Sequence, residues 1–200
     1  MPSETDIANV ALVLIGANRV ANISDSQPLN DTYTEVRDAL LRSHPWNFAT
    51  KRQKLAQSST DPVYEFDHAY PLPSDWIRTI SVSDTEIGRS TVLYRTEIVN
   101  GQRAIVSSSS EIYIRYVYRV TDPNLMSEDF RIALEKSLAK VLAIKEAGSR
   151  SLHELYAAEA RQALNAARST DAIDSFPELR PRGAWASSRS GYRRRSYYND

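Results

Sequence analysis

The sequence predicts an α+β protein: a helical bundle formed from the N- and C-terminal helices, an inserted antiparallel β domain, and a flexible C-terminal arm. Three observations carry that expectation. Apolar residues recur at helical spacing before residue 45 and again after residue 122. The stretch between them alternates β-branched and aromatic residues and is punctuated by turn formers. Residues 177–200 are rich in arginine, tyrosine and serine and poor in aliphatic side chains, too poor to offset the entropy of ordering a chain on its own. The expected units are therefore residues 1–45 (helical, first part), 46–122 (β domain), 123–175 (helical, second part) and 176–200 (arm).

The first helix is expected over residues 3–17, where Ile7, Val10, Ala11, Leu14 and Ile15 share a face. Ser3 and Asp6 have the spacing of a capping box, and Gly16 ends the helix. A second helix is expected from about Leu29 to Ser43, with Asn30 or Asp31 as cap and Tyr33, Val36, Leu40 and Leu41 on one side. Pro45 stops it, because a residue preceding proline is pushed out of the helical region.

The β segment is expected to hold strands near 47–56, 63–70, 76–84, 90–94, 97–107 and 111–119. Asn100-Gly101 is its strongest hairpin signal, since a type I′ turn needs two positive φ angles. Pro71 and Pro73 would interrupt a central strand, which puts Tyr70-Pro71-Leu72-Pro73 at an edge or corner. Helical periodicity returns with Phe130, Leu134, Leu138, Val141 and Leu142 behind a Ser127 cap, and Gly148 closes that helix. Leu152, Leu155, Tyr156, Ala163, Leu164 and Ala167 trace a fourth helix that ends near Asp171.

Composition removes several kinds of chemistry. The 200 residues contain no cysteine, so disulfides, thiolate catalysis and Cys-ligated metals are excluded. No apolar run approaches the roughly 18 residues that cross a bilayer, and the acidic, polar start of the chain lacks the basic residues of a secretory signal. No membrane partner and no export are expected. The three histidines, His44, His68 and His153, lie in different segments with no metal-ligand spacing. Asp67 beside His68 is the nearest approach to an acid/base pair, and Asp61, Glu65 and Asp67 supply paired carboxylates. Neither arrangement is specific enough to assign catalysis. The six glycines are scattered singly and none precedes a Lys-Ser or Lys-Thr pair, so no phosphate loop is present. No cofactor, metal or catalytic residue is expected.

Charge is balanced overall but unevenly placed. Residues 177–200 carry six arginines against Glu178 and Asp200, a net +4, which leaves the preceding residues at −4. Arginine outnumbers lysine 20 to five, and guanidinium forks suit bidentate contacts to carboxylates and phosphates.

Three stretches are more specific than composition requires: His44-Pro45-Trp46-Asn47-Phe48-Ala49, the corner from Tyr64 to Arg78 (YEFDHAYPLPSDWIR), and Tyr116 to Pro123 (YVYRVTDP). Together with Ile15-Gly16-Ala17 and Arg37-Asp38, their order resembles the tail tubular protein A family of short-tailed bacteriophages, over about residues 5–170. That resemblance implies a virion protein of the head-to-tail junction, assembled in the host cytoplasm: a ring-forming adaptor, a dodecamer in the family, with no enzymatic activity. Its implied partners are the portal protein, a tail nozzle of the tail tubular protein B type, and further copies of itself. Double-stranded DNA would pass through its channel without specific binding.

The arm supplies candidate portal-binding residues: Arg180, Arg182, Trp185, Arg189, Tyr192, Arg193, Arg194, Arg195, Tyr197 and Tyr198. Contact with DNA through the same arginines, or simple solubilisation, are the alternatives for that segment. Accessory peptidoglycan-degrading activity is the alternative of a different class. His44, Pro45, Trp46, Phe48, Tyr70, Pro71, Pro73 and Trp76 are expected to be structural residues where helices meet sheet, since buried aromatics contribute large contact areas.

Overall fold

The computed structural model describes residues 2–88, 90 and 92–174, and the expected arm at 176–200 lies outside them. The described residues are mixed helix and sheet, with four α-helices and two three-stranded antiparallel sheets.

Helix α1 spans Glu4–Leu14 behind the predicted capping box, in which the Ser3 hydroxyl accepts from the Asp6 N–H and the Asp6 carboxylate accepts from the Ser3 N–H. Gly16 takes φ +76°, the left-handed conformation that lets the chain turn away. Helix α2 runs Gln27–Ser43, starting two residues before the expected Leu29. Pro28 occupies its first turn, where a missing N–H leaves no intrahelical bond unmade. Ser26 is therefore the cap position, and Asn30 and Asp31 lie inside the helix. His44 stops α2 with φ −150° and ψ 148°, the extended geometry imposed by Pro45. Helix α3, Glu128–Lys145, starts where the Ser127 hydroxyl accepts from the Phe130 N–H, and α4 covers Arg150–Ile173.

Helix α3 packs against α1, α2 and α4. Helices from both ends of the chain thus share one core, including Ile7, Ala11, Leu41, Phe130, Leu134, Leu138 and Leu142, all almost fully buried. Each such Leu, Ile or Phe contributes roughly 1.5–3 kcal/mol by leaving water.

The strands are β1 (Thr50–Leu55), β2 (His68–Pro71), β3 (Trp76–Ser83), β4 (Arg95–Val99), β5 (Gln102–Ser107) and β6 (Ile112–Tyr118). One sheet has the order β1-β6-β3 and the other β2-β5-β4. The alternation read in residues 112–118 divides β6 between two cores. Ile112, Ile114 and Tyr116 meet Tyr70 and Ile105 of the second sheet, whereas Val117 joins Ile77 in the helical core.

The Asn100-Gly101 turn joins β4 to β5 with φ angles of 49° and 76°, the predicted type I′ hairpin. β2 is an edge strand ending at Pro71, as the proline requires.

Three strand expectations change. Residues 47–49 form a 3-10 turn before β1. The stretch near 63–70 contracts to His68–Pro71, because residue 66 is spent covering a sheet: Phe66 is buried against Ala69, Ala104 and Val106. Residues 92–94 are not a strand by themselves and lead into β4, which starts at Arg95.

Candidate functional site

The two aromatic-proline motifs fall in different cores, bridged by the start of β3. In the first, α2 ends at Ser43 and the chain turns through Pro45, which points Trp46 inward. Trp46 is fully buried; its indole N–H donates to the Leu40 carbonyl at 3.0 Å, capping the last turn of α2. Its ring meets His44 at 4.7 Å and Phe130 of α3 at 5.1 Å, both edge-on, and Phe48 packs edge-on to Phe130 at 5.0 Å. Such geometry aligns the positive edge of one ring with the negative face of the next.

A carboxylate from the far end of the chain closes this junction. Asp171, in the last turn of α4, is 8% exposed. It accepts the Asn47 backbone N–H at 2.9 Å on Oδ1 and lies 3.1 Å from His44 Nε2 on Oδ2. Asn47 Nδ2 donates in turn to the Asp171 carbonyl at 2.7 Å. Three polar contacts thus tie the end of α4 to the α2–β1 junction, across more than 120 residues of sequence.

A second polar network surrounds the Arg37-Asp38 pair. The Arg37 guanidinium, almost entirely buried, donates to Glu4 of α1 at 3.1 Å and to Asp38 at 3.0 Å. Asp38 also receives Arg119, just past β6, at 2.8 Å. Two further bonds connect the helices to the corner motif: Arg42 Nη1 donates to the Ile77 carbonyl at 2.8 Å, and Arg78 Nη1 to the Arg42 carbonyl at 3.0 Å.

The corner motif itself lies between the sheets. The Tyr70 hydroxyl donates to the Ser109 carbonyl at 2.5 Å, Pro71 pairs with Ala104, and the Pro73 carbonyl accepts the Trp76 backbone N–H at 3.0 Å. Trp76 is half-buried, with its indole N–H on Thr79 Oγ1 at 3.0 Å and the Arg103 guanidinium 5.6 Å from its ring. Leu72, Pro73, Ser74, Trp76, Gln102 and Arg103 line an open cavity of about 460 Å³.

Beneath this corner, Asp75 accepts Lys51 at 2.7 Å and the Tyr116 hydroxyl at 3.1 Å. Burial and the Asp75 charge push the Tyr116 phenol up to about 12. Burial, followed by the Glu4 charge, raises Tyr33 well above the ordinary phenol value.

Of the sequence-derived residues, His44, Pro45, Trp46 and Phe48 form the helical junction, while Tyr70, Pro71, Pro73 and Trp76 form the inter-sheet corner. The candidate portal-binding residues, Arg180 to Tyr198, lie outside the described residues. His68 pairs through Nδ1 with Gln57 at 2.9 Å, Glu65 with Arg95 at 3.2 Å, and His153 Nδ1 with the Lys140 carbonyl at 2.8 Å.

Among the described residues no three His, Asp or Glu side chains are grouped to hold a metal ion, and no helix is long and apolar enough to cross a membrane. A second, larger groove of about 790 Å³ runs along the α3–α4 connection, lined by Ile144, His153, Glu154 and Arg161 among others.

Sequence reasoning missed the Asp171 clasp and the Asp75 hub. Asp171 sits in a helix whose periodicity marks only an end, and nothing local signals a partner so distant in sequence. Asp75 lies inside a recognised motif, but its partners come from β1 and β6.

No family model matches the chain, and no curated protein matches it.

Proposed function

We propose that this protein is a structural head-to-tail adaptor of a short-tailed bacteriophage: a ring of copies between portal and tail nozzle that closes the filled head and lets DNA pass during ejection. The observation carrying this reading is the motif order, HPWNFA followed by YPLPSDWIR and YVYRVTDP, which resembles the tail tubular protein A family. Its physical support is the way those motifs are used. HPWNFA joins the helical core to β1, YPLPSDWIR joins the two sheets, and Arg42 and Asp171 through half-buried hydrogen bonds, with Arg78 through an exposed one, connect the pieces. Such cross-bracing suits a passive segment that transmits load, with the N- and C-terminal helices as one bundle and the β unit projecting from it.

In this reading the ring is closed by heterologous contacts between neighbours. The acidic balance of residues 1–176 keeps its bore from gripping phosphates, and residues 177–200 form an arm that engages the portal through arginine forks and tyrosine rings. The protein belongs to the virion tail, and no cofactor takes part.

Mixing the purified chain with portal rings and sizing the product tests the proposal. A ring of this chain on each portal is expected, and removal of residues 177–200 is expected to weaken that binding. Failure of the full chain to associate with portals would overturn the adaptor reading. Unchanged affinity of the shortened chain would overturn the arm alone.

A further inference from the structure

Among the described residues the two sheets leave four outer edges, and the edges are not treated alike. β1 carries three exposed cations, Lys51, Arg52 and Lys54, which discourage another strand from pairing. β2 ends in Pro71, and the Ser58 N–H already donates to its Ala69 carbonyl at 2.7 Å. β3 is broken by register shifts between Trp76 and Arg78 and between Thr79 and Ser81. β4 has none of these devices. Arg95–Val99 is a regular strand with no proline, no shift in register and one charge of each sign. Ile98 is 73% exposed and the preceding Leu93 is 80% exposed.

The backbone groups available at this edge follow from the hairpin. In a two-residue type I′ turn the flanking pair, Val99 and Gln102, exchanges backbone hydrogen bonds, and alternation then turns residues 95, 97 and 99 toward β5. Residues 96 and 98 of β4 present their N–H and C=O groups outward.

The side chains are self-complementary about Thr96. When a second copy is laid antiparallel with Thr96 opposite its equivalent, Arg95 faces Glu97, Tyr94 faces Ile98 and Leu93 faces Val99, each pair occurring twice except the central one. These are the opposite-charge, aromatic with β-branched, apolar and Thr–Thr pairs that favour cross-strand contact. Thr96 then meets its partner through the outward-facing backbone groups. Centring the pairing one residue to either side puts Glu97 against Glu97 or Arg95 against Arg95, so the charges select one register.

We propose that β4 is a homotypic pairing edge, through which two copies join as a two-fold dimer with the two β2-β5-β4 sheets continuous across the axis. The proposal stands apart from the adaptor reading, since neighbours in a closed ring meet through different patches and this contact is the same patch on both copies.

Sedimentation of the full chain from low micromolar to several hundred micromolar tests it, with charge variants compared in a Glu65→Gln background so that the intramolecular Glu65–Arg95 pair does not interfere. A concentration-dependent dimer is expected. Glu97→Arg, which sets like charges opposite at both ends, should raise the dissociation constant at least about tenfold. The double change Arg95→Glu/Glu97→Arg should restore dimerisation.

Thr96→Pro removes an outward N–H without touching the bonds to β5, and should abolish the dimer while leaving the circular dichroism spectrum unchanged. A chain that stays monomeric throughout the range would overturn the proposal. So would a dimer indifferent to Glu97→Arg and Thr96→Pro.

Discussion

Trp46 and Trp76 show how differently the two halves of this fold hold together. Trp46 is sealed in the helical core, with its indole N–H satisfied by a helix carbonyl and its ring contacting residues on α3 and at the β1 entry. Trp76 stands half-exposed at the mouth of the inter-sheet corner, with a guanidinium near one side and solvent on another. Around Trp46 the helical core is closed by aromatic and aliphatic side chains and by the Asp171 contacts, whereas the sheet pair is open at its rim around Trp76. At the β1 edge cations sit near tyrosines of β6, Lys51 at 3.8 Å from the Tyr118 ring and Lys54 at 5.3 Å from Tyr113. A fold arranged in this way should resist unfolding from the helical side and present its variable contacts from the sheet side.

The sharpest way to break this contrast is to truncate both tryptophans. Trp46→Ala should cost about 3–5 kcal/mol, the range for emptying a fully buried aromatic site, and leave the Leu40 carbonyl without its donor. Trp76→Ala should cost clearly less, since part of its surface is already hydrated and its N–H partner, Thr79, can turn to water. Urea denaturation of both variants is the measurement. Equal losses would mean that the sheet corner is as tightly packed as the helical junction.

The Asp171 clasp comes next in size. Asp171→Ala strips the acceptor from a half-buried backbone N–H and from His44, for which about 1–3 kcal/mol is expected. Asp171→Asn should cost less, because its amide oxygen still accepts from Asn47. Hydrogen exchange gives a second readout: protection should fall at the Asn47 amide and in the last turns of α4 before it falls in α3. Uniform loss across the helices would show that the clasp acts through global stability alone.

Much of this architecture was legible in the sequence because it rests on local signals. Ser3 with Asp6, Ser127 before Phe130, Pro45 after Ser43 and Asn100-Gly101 each act within about four residues, and each element begins or ends where its signal lies. The exceptions are instructive. α2 starts at Gln27 because Pro28 suits a first turn, a permissive feature that outweighs the better capping residues Asn30 and Asp31. The stretch around residue 66 has the apolar content of a strand but is used to cover the outer face of the second sheet through Phe66, a decision made by the burial of Ala104 and Val106.

The candidate site was legible as motifs but not as contacts. Trp46 and Trp76 announced themselves by type and spacing. Their separation into two cores, and the part played by Asp171 and Asp75, depend on which distant elements the fold brings together.

The smallest expected effect concerns the sheet side and reads out through pH. Tyr116 projects from β6 into the inter-sheet core, and its hydroxyl reaches Asp75 at 3.1 Å and Gln53 at 3.4 Å. Burial first, then the nearby carboxylate, disfavours the phenolate and lifts its ionisation to about 12, from an ordinary value of 10. A group whose proton is held more tightly in the folded state stabilises that state fully below its unfolded value and loses the contribution as pH rises through the folded one. The window is therefore about pH 10 to 12.

Tyr116→Phe should cost about 1 kcal/mol at neutral pH for the lost hydrogen bond, with Asp75 still held by Lys51. It should also make the fall in stability between pH 10 and 12 shallower. The fall should not vanish, because burial raises Tyr33 and Tyr70 in the same direction. An identical alkaline profile for Tyr116→Phe and the parent chain would mean that the phenol ionises freely in the folded protein. The inter-sheet core would then be wet, which would widen the contrast with the sealed core around Trp46.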